Sequence, residues 1–370
     1  MNIKHWLLLS RLPFLSIVIL PYILGAVLAH RAGYYFNGVI FWLGLAGTIL
    51  IQLATHYSGE INDLPEDRLS ITLEKNFFTG GSQVLVEKLI PVKKVKALAY
   101  GVIFLALVIG LVLQFYYLTG TWSLFLGFTG VICGFFYSQR PGRWVSRGLG
   151  EIFIVYGFGW LAVNSGFYLQ SAHFNLLAGL VSLPIGLAAA NIILVNEYPD
   201  FPADKETGKF NLLVRLGKEK GAKVYALLAV LSGAMFLLSL YFGLPFKTLY
   251  FYLPVWFLSL GLAHLMLRQA VNWAGAGGLE QWKEAILEIL FLTRTMSVEA
   301  QALLLLVLCG DDDRVRQIHP EFAGSASVPL VYRCFQSIVP LSMGFFERHM
   351  PEDREAVANA FFLSEIPSVS

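Results

Sequence analysis

Two groups of acidic residues with the same spacing are the part of this sequence most suited to chemistry. Glu60, Asp63 and Asp67 lie within HYSGEINDLPEDRL, at relative positions 0, 3 and 7. Residues at these intervals share one face of an α-helix. The spacing therefore predicts three neighbouring carboxylates at the end of an apolar helix.

A second group repeats this pattern further along the chain. Asn196 and Glu197, followed by Asp200 and Asp204, lie within NEYPDFPADKETGKF, again with acids at 0, 3 and 7. Each group follows an apolar stretch and precedes basic residues. We expect the two groups to lie at the same membrane surface and to face each other.

Carboxylates brought together in this way repel one another unless a cation lies between them. Mg²⁺, or Mn²⁺ in its place, suits such a site, because Mg²⁺ binds a few carboxylates together with substrate phosphates. The alternative is that the acids are solvated caps of two helices. The candidate metal ligands are Glu60, Asp63, Asp67, Asn196, Glu197, Asp200 and Asp204. The candidate diphosphate ligands are the cations Arg68, Arg140, Lys209 and Arg215.

The composition defines the elements that must position these residues. Of 370 residues, 56% are hydrophobic and 14% are charged, and the mean hydropathy is +0.63. These values exclude a soluble globular domain and a disordered chain. The net charge of +2 does not indicate a nucleic-acid partner. A helix crosses a bilayer with about 20 apolar residues. The expected fold is an all-α, polytopic transmembrane helical bundle of about nine spans, near 6–29, 36–58, 97–118, 122–138, 150–170, 174–198, 222–243, 249–267 and, more weakly, 286–309.

The distribution of Lys and Arg predicts the orientation. Basic residues concentrate in the stretches 60–96, 139–148 and 200–221, which places these loops, and both acidic groups, at the cytoplasmic face of the cytoplasmic membrane. The expected division is a transmembrane domain, 1–309, and a C-terminal tail of unknown role, 310–370.

At the acidic groups the sequence resembles the UbiA superfamily of intramembrane prenyltransferases. That family carries N-D-x-x-D-x-x-x-D after its second helix and a related motif after its sixth. Asn196, Glu197, Asp200 and Asp204 match the second motif. In the first, Gly59 and Glu60 stand where the family has asparagine and aspartate, and a shifted register that begins at Asn62 is a second alternative.

The segment FYSQRPGRWVSRGLGE looks like the 1,4-dihydroxy-2-naphthoate prenyltransferase branch, which carries a tyrosine, a proline and R-G-L-G-E. The resemblance covers roughly residues 1–305. It implies Mg²⁺-dependent transfer of a prenyl group from a polyprenyl diphosphate to an aromatic acceptor, 1,4-dihydroxy-2-naphthoate, in menaquinone biosynthesis. Its candidate catalytic residues are Tyr137, Arg147 and Glu151.

Other functions remain open at this point. Relatives prenylate 4-hydroxybenzoate, homogentisate, haem precursors or glycerol phosphate. A cation- or proton-coupled transporter would also carry membrane carboxylates, although here the acids lie at helix ends rather than near the middle of the membrane. A phospholipid head-group transferase would need a different aspartate motif, which is absent from this sequence.

Overall fold

The computed structural model describes residues 3–73 and 81–270, and these form a bundle of α-helices with no strand in the described part. The predicted all-α fold is confirmed. The helices are α1 (Ile3–Leu9), α2 (Ser16–Arg31), α3 (Gly38–Asn62), α4 (Leu64–Leu73), α5 (Val92–Tyr116), α6 (Ser123–Ser138), α7 (Gly150–Ser171), α8 (Leu176–Thr207), α9 (Leu212–Leu216), α10 (Lys218–Tyr241) and α11 (Thr248–Ala270).

Six helices in the described ranges are long and apolar enough to cross a membrane: α3, α5, α7, α8, α10 and α11. The apolar helices α2 and α6 are shorter, with 16 residues each, and occupy the positions of predicted spans one and four. The count of nine spans is not confirmed. Both the ninth predicted span, 286–309, and the tail, 310–370, lie outside the described residues.

The predicted first span, 6–29, is divided in two. Helix α1 ends at Leu9, and Arg11 adopts a left-handed conformation with φ 46° before a 3₁₀ turn leads into α2. Pro13 accounts for this break, because proline has no backbone N–H and cannot donate the helical hydrogen bond to the carbonyl of Leu9. The break places the Arg11 side chain at the end of the bundle that carries the acids.

The helices alternate in direction, so that the ends of α3, α6 and α8 lie on one side together with the starts of α7 and α10. Helix α2 packs on α7, α3 on α5 and α6, and α8 on α7 and α10. The short helix α4 lies against α8. This last contact brings the two acidic stretches together.

The crossing of α2 and α7 depends on reciprocal glycines. A Cβ atom added at Gly25 would overlap the carbonyl oxygen of Val163, and one added at Gly166 would overlap the carbonyl oxygen of Tyr22. Small residues let helix backbones approach closely within a membrane. The two helices therefore touch backbone to backbone.

We expect Gly166→Ala to destabilise the protein by about 1–3 kcal/mol, the usual cost of overpacking a well-packed core. The thermal unfolding midpoint in detergent measures the effect. Gly101→Ala on α5 is the matched control, because a Cβ there meets nothing within 4 Å. Equal midpoints for the two variants would contradict the close crossing.

Candidate active site

The first acidic group spans a break between two helices. Glu60 lies in the last turn of α3, Asp63 caps that helix with φ −92° and ψ 5°, and Asp67 lies in the first turn of α4. The prediction of one continuous helical face is therefore wrong for this group. Pro65 provides the reason, since its missing N–H removes the hydrogen bond to the carbonyl of Ile61.

The second acidic group lies on one uninterrupted helix. Helix α8 passes through Pro199 and Pro202 and ends only at Gly208, which has φ 76° and closes the helix as a left-handed cap. It extends beyond the predicted boundary at 198. Glu197 and Asp204 are buried on this helix, whereas Asn196 and Asp200 are partly exposed.

The two groups face each other, as predicted. The Ser70 hydroxyl on α4 donates a hydrogen bond to Oδ1 of Asp200 at 3.0 Å. The Lys209 ammonium lies 3.6 Å from Oδ1 of Asp204 and 3.9 Å from Oδ2 of Asp63. Lys209 thus joins one carboxylate from each group.

The site holds more acid than this lysine neutralises. Burial and the charges of Asp63 and Glu60 raise the pKa of Asp67 to about 8, against the opposing effects of Arg11 and Lys209. Burial alone would lower the pKa of Lys209, but the surrounding acids, Asp63 first among them, raise it above its ordinary value. The residues present therefore favour the binding of a further cation.

Several carboxylate oxygens in the site are buried and have no hydrogen-bond partner. They are Oδ1 of Asp63, Oε2 of Glu66, Oε2 of Glu197 and both oxygens of Glu151. Within the described residues, no three acidic, histidine or cysteine side chains converge closely enough to hold a metal ion by themselves. This donor set fits Mg²⁺, which binds through one or two carboxylates and completes its shell with water and phosphate oxygens.

Three further side chains hold the acids in place. From the sequence, Arg143 is predicted only as a candidate cation for the acceptor carboxylate, and Arg11 and Asn211 are not predicted as site residues. Arg143 pairs with Oε1 of Glu66 at 2.5 Å, and Asn211 donates to Oδ2 of Asp204 at 2.8 Å. Arg11 pairs with Glu60. The sequence feature that could have identified Arg11 is its charge within an apolar run, because an ionisable residue at membrane depth is expected to have a partner or a function.

The other candidate cations lie at the protein surface. The side chain of Arg147 is exposed, donates to the carbonyl of Pro141 at 2.7 Å and lies over the Trp144 ring. Arg215 is also exposed and donates to the carbonyls of Phe210 at 2.8 Å and Ser146 at 3.2 Å. Arg68 and Arg140 are exposed as well. The structure thus places Lys209 between the acidic groups and these four arginines around them.

Tyr137 and Glu151 lie at the same end of the bundle as the acids, where α6 ends and α7 begins. Glu151 is buried in the first turn of α7, and Tyr137, in the last turn of α6, packs against Ile154 of α7 and Ala189 of α8. By contrast, the Tyr168 hydroxyl accepts a hydrogen bond from the N–H of Trp122, at the opposite end of the bundle. Of these three residues, Tyr137 and Glu151 are the two that lie at the end of the bundle that carries the acidic groups.

Solved structures with a similar fold come from archaea. A UbiA homolog from Archaeoglobus fulgidus bound to GPP and Mg²⁺ superposes with a TM-score of 0.54, at 15% identity, over 82% of this chain and 99% of that one. A UbiA homolog from Aeropyrum pernix K1 gives 0.54, at 16% identity, over 83% and 98%. At these identities the likeness establishes the fold alone.

Curated relatives are similar at low identity. The 1,4-dihydroxy-2-naphthoate octaprenyltransferase of Escherichia coli is 35% identical over 32% of this chain, and the match spans only 38% of that protein. The enzyme of the same name from Haemophilus influenzae is 25% identical over 64% of this chain and 77% of its own length. The 2-carboxy-1,4-naphthoquinone phytyltransferase of Synechocystis is 26% identical over 61% and 71%.

The UbiA prenyltransferase family profile matches residues 18–276, more than half of the chain. This match confirms the resemblance seen in the aspartate motifs and sets aside the transporter and head-group transferase alternatives. The chain belongs to the UbiA prenyltransferase family and is an integral membrane prenyltransferase.

Proposed function

We propose that this enzyme transfers a prenyl group from a polyprenyl diphosphate to 1,4-dihydroxy-2-naphthoate, with Mg²⁺ as the required metal, in menaquinone biosynthesis. The observation that carries the proposal is the pair of facing acidic groups joined through Lys209, with buried carboxylate oxygens left without partners. The naphthoate and naphthoquinone prenyltransferases among its relatives support the choice of acceptor.

Asp63 and Asp67 on one side, and Asn196, Glu197, Asp200 and Asp204 on the other, would hold the metal. Bound Mg²⁺ stabilises the negative charge that builds on the departing diphosphate. Lys209 adds a fixed positive charge between the groups, and Arg68, Arg140 and Arg215 at the rim attract the anionic head of the substrate. The surrounding helices exclude water, which protects the allylic cation from hydrolysis.

Glu151 and Tyr137 are proposed to bind the acceptor. The Glu151 carboxylate is 6% exposed, and neither of its oxygens has a hydrogen-bond partner. A phenolic hydroxyl would supply the missing donor. In the reaction the C–O bond to diphosphate breaks, a C–C bond forms at the carbon bearing the carboxylate, and that group leaves as CO₂. Because no net proton is lost, Glu151 needs only to orient the hydroxyl and return any proton it accepts.

The test is prenyl transfer by purified protein with Mg²⁺, measured by mass spectrometry with dihydroxynaphthoate, 4-hydroxybenzoate and homogentisate at equal concentrations. We expect the naphthoate to be preferred. The Arg147 guanidinium is proposed to contact the ring carboxylate, so Arg147→Ala should raise the KM for this acceptor by about tenfold, and an unchanged KM would remove Arg147 from the acceptor site. The exposed Lys220→Ala is the control. Preference for a benzenoid acceptor would overturn the choice of acceptor and leave the prenyltransferase assignment unchanged.

The active site is proposed to face the cytoplasm, because basic residues concentrate at the ends of the helices that carry the acids. A cysteine introduced at the exposed Glu206, in a variant without Cys133, Cys309 and Cys334, tests this orientation. An impermeant maleimide should leave this cysteine unlabelled in intact cells and label it in inverted vesicles. Labelling only from outside would reverse the orientation.

A further inference from the structure

The Glu60 carboxylate is already occupied by protein donors. Nε of Arg11 donates to its Oε1 at 2.8 Å, and Nη2 of Arg11 contacts the same oxygen. The backbone N–H of Ser82 donates to Oε1 at 2.9 Å, and the Ser82 hydroxyl donates to Oε2 at 2.6 Å. A carboxylate offers about four acceptor positions. Three of the four donors lie on Oε1, which is therefore saturated, and one lies on Oε2; the Glu60 side chain is 2% exposed.

Asp63 presents the opposite situation in the same acidic group. Its Oδ1 is buried without a hydrogen-bond partner, while Oδ2 accepts from the Ser138 hydroxyl at 3.3 Å. A metal ion can therefore approach Asp63 without displacing a protein donor. At Glu60 it would have to displace donors from the saturated Oε1, or approach Oε2 beside the Ser82 hydroxyl on a side chain that is 2% exposed.

The bonds at Glu60 join three separate segments of the chain. Arg11 precedes α2, Glu60 ends α3, and Ser82 lies in the stretch before α5. The intervening Gly81 has φ 64°, and a Cβ atom there would lie 2.6 Å from Oδ2 of Asp67 and 2.8 Å from Nη2 of Arg11. Asp67 thus lies directly beside the point where Arg11, Glu60 and Ser82 meet. Glycine is required at 81 both for its backbone conformation and for space.

We propose that Glu60 is a positioning residue and not a metal ligand. Together with Arg11 and Ser82 it forms a clasp, defined as these three residues, that closes the segment 81–90 onto the first acidic group and fixes the place of Asp67. The residues after Ser82 complete the closure, because Val84 and Leu85 are buried with Leu9 in one apolar cluster. In this chain the clasp replaces the ligand that the aspartate motif of the family would supply at this position.

Local opening of the segment tests the clasp independently of activity. Val84→Cys, in a full-length variant without Cys133, Cys309 and Cys334, places a thiol where the native side chain is 1% exposed. Its rate of maleimide labelling follows the equilibrium for local opening. Adding Glu60→Ala should accelerate labelling by about tenfold or more, because hydrogen bonds to a charged group are lost. Ser82→Ala should accelerate it less, and Asp63→Asn should leave it unchanged. Unchanged labelling in Glu60→Ala would overturn the clasp.

The second arm rests on the proposed function and uses the Mg²⁺ dependence of prenyl transfer. Asp63→Asn should raise the Mg²⁺ concentration for half-maximal rate by about tenfold or more, whereas Glu60→Gln should lower kcat by about tenfold and leave that concentration close to wild type. Glu60→Gln and Ser82→Ala should also be non-additive in kcat, since each breaks the same contact.

An equal Mg²⁺ shift in Glu60→Gln and Asp63→Asn would make Glu60 a ligand and overturn the proposal. Absence of prenyl transfer by the wild type would overturn the proposed function, while the labelling arm would still decide the clasp.

Discussion

Replacing Asp63 or Asp200 by alanine should each reduce the rate of prenyl transfer by about 10-fold to 100-fold or more, and replacing both should abolish it. Even the loss of a group that only supports a metal ligand costs activity on this scale. Asp63 has a buried oxygen without a partner, and Asp200 lies across from it beside Ser70. The two substitutions therefore remove a candidate ligand from each side of the site. Initial rates at saturating substrates, measured across a range of Mg²⁺ concentrations, test the result.

The control for these variants is Glu206→Ala, which removes an exposed acid from the last turn of the helix that carries Asp200. It should retain wild-type activity. Size-exclusion profiles and thermal midpoints in detergent verify that all variants fold. Retained activity in the double variant, or full activity in excess chelator, would refute a metal site formed by the two groups.

Lys209→Met should lower kcat by about 100-fold, the scale measured when one preorganised electrostatic contact is removed from a transition state. The lysine side chain is 14% exposed and reaches an acid of each group, at 3.6 Å and 3.9 Å. Its loss leaves the buried Asp204 carboxylate and the partly exposed Asp63 carboxylate without their compensating charge, which also destabilises the folded state. Single-turnover rates and thermal midpoints, measured with and without Mg²⁺, separate the two effects.

Lys209→Arg keeps the charge and should retain much more activity than Lys209→Met, although the bulkier guanidinium will not reproduce the same contacts. Lys205→Ala removes an exposed lysine from the end of α8 and serves as the surface control. Equal rates for Lys209→Met and Lys205→Ala would show that the buried lysine does not take part in the reaction.

The sequence by itself determined the fold class, the positions of the apolar helices and the two acidic groups. Long apolar runs can satisfy their backbone groups in a bilayer only as helices, so hydropathy reports them directly. The repeated 0, 3, 7 spacing identified the acids as candidate site residues, because carboxylates at helix ends within a hydrophobic chain need a cation or another partner. The family motifs depend on the same residues, which is why the assignment to prenyltransferases followed from sequence alone.

Only the tertiary structure decided which side chains pair with the acids. Arg11 and Ser82 meet Glu60 from segments 49 and 22 residues away, and Arg143 reaches Glu66 across 77. Such contacts depend on how the helices pack and on where each helix ends. They join residues far apart in the chain, so no local pattern in the sequence predicts them. For the same reason, Lys209 could not be told apart from Arg147 and Arg215 in the sequence. All three are cations near helix ends, and the position between the two acidic groups selects Lys209, while bonds to surface carbonyls hold the two arginines at the rim of the site.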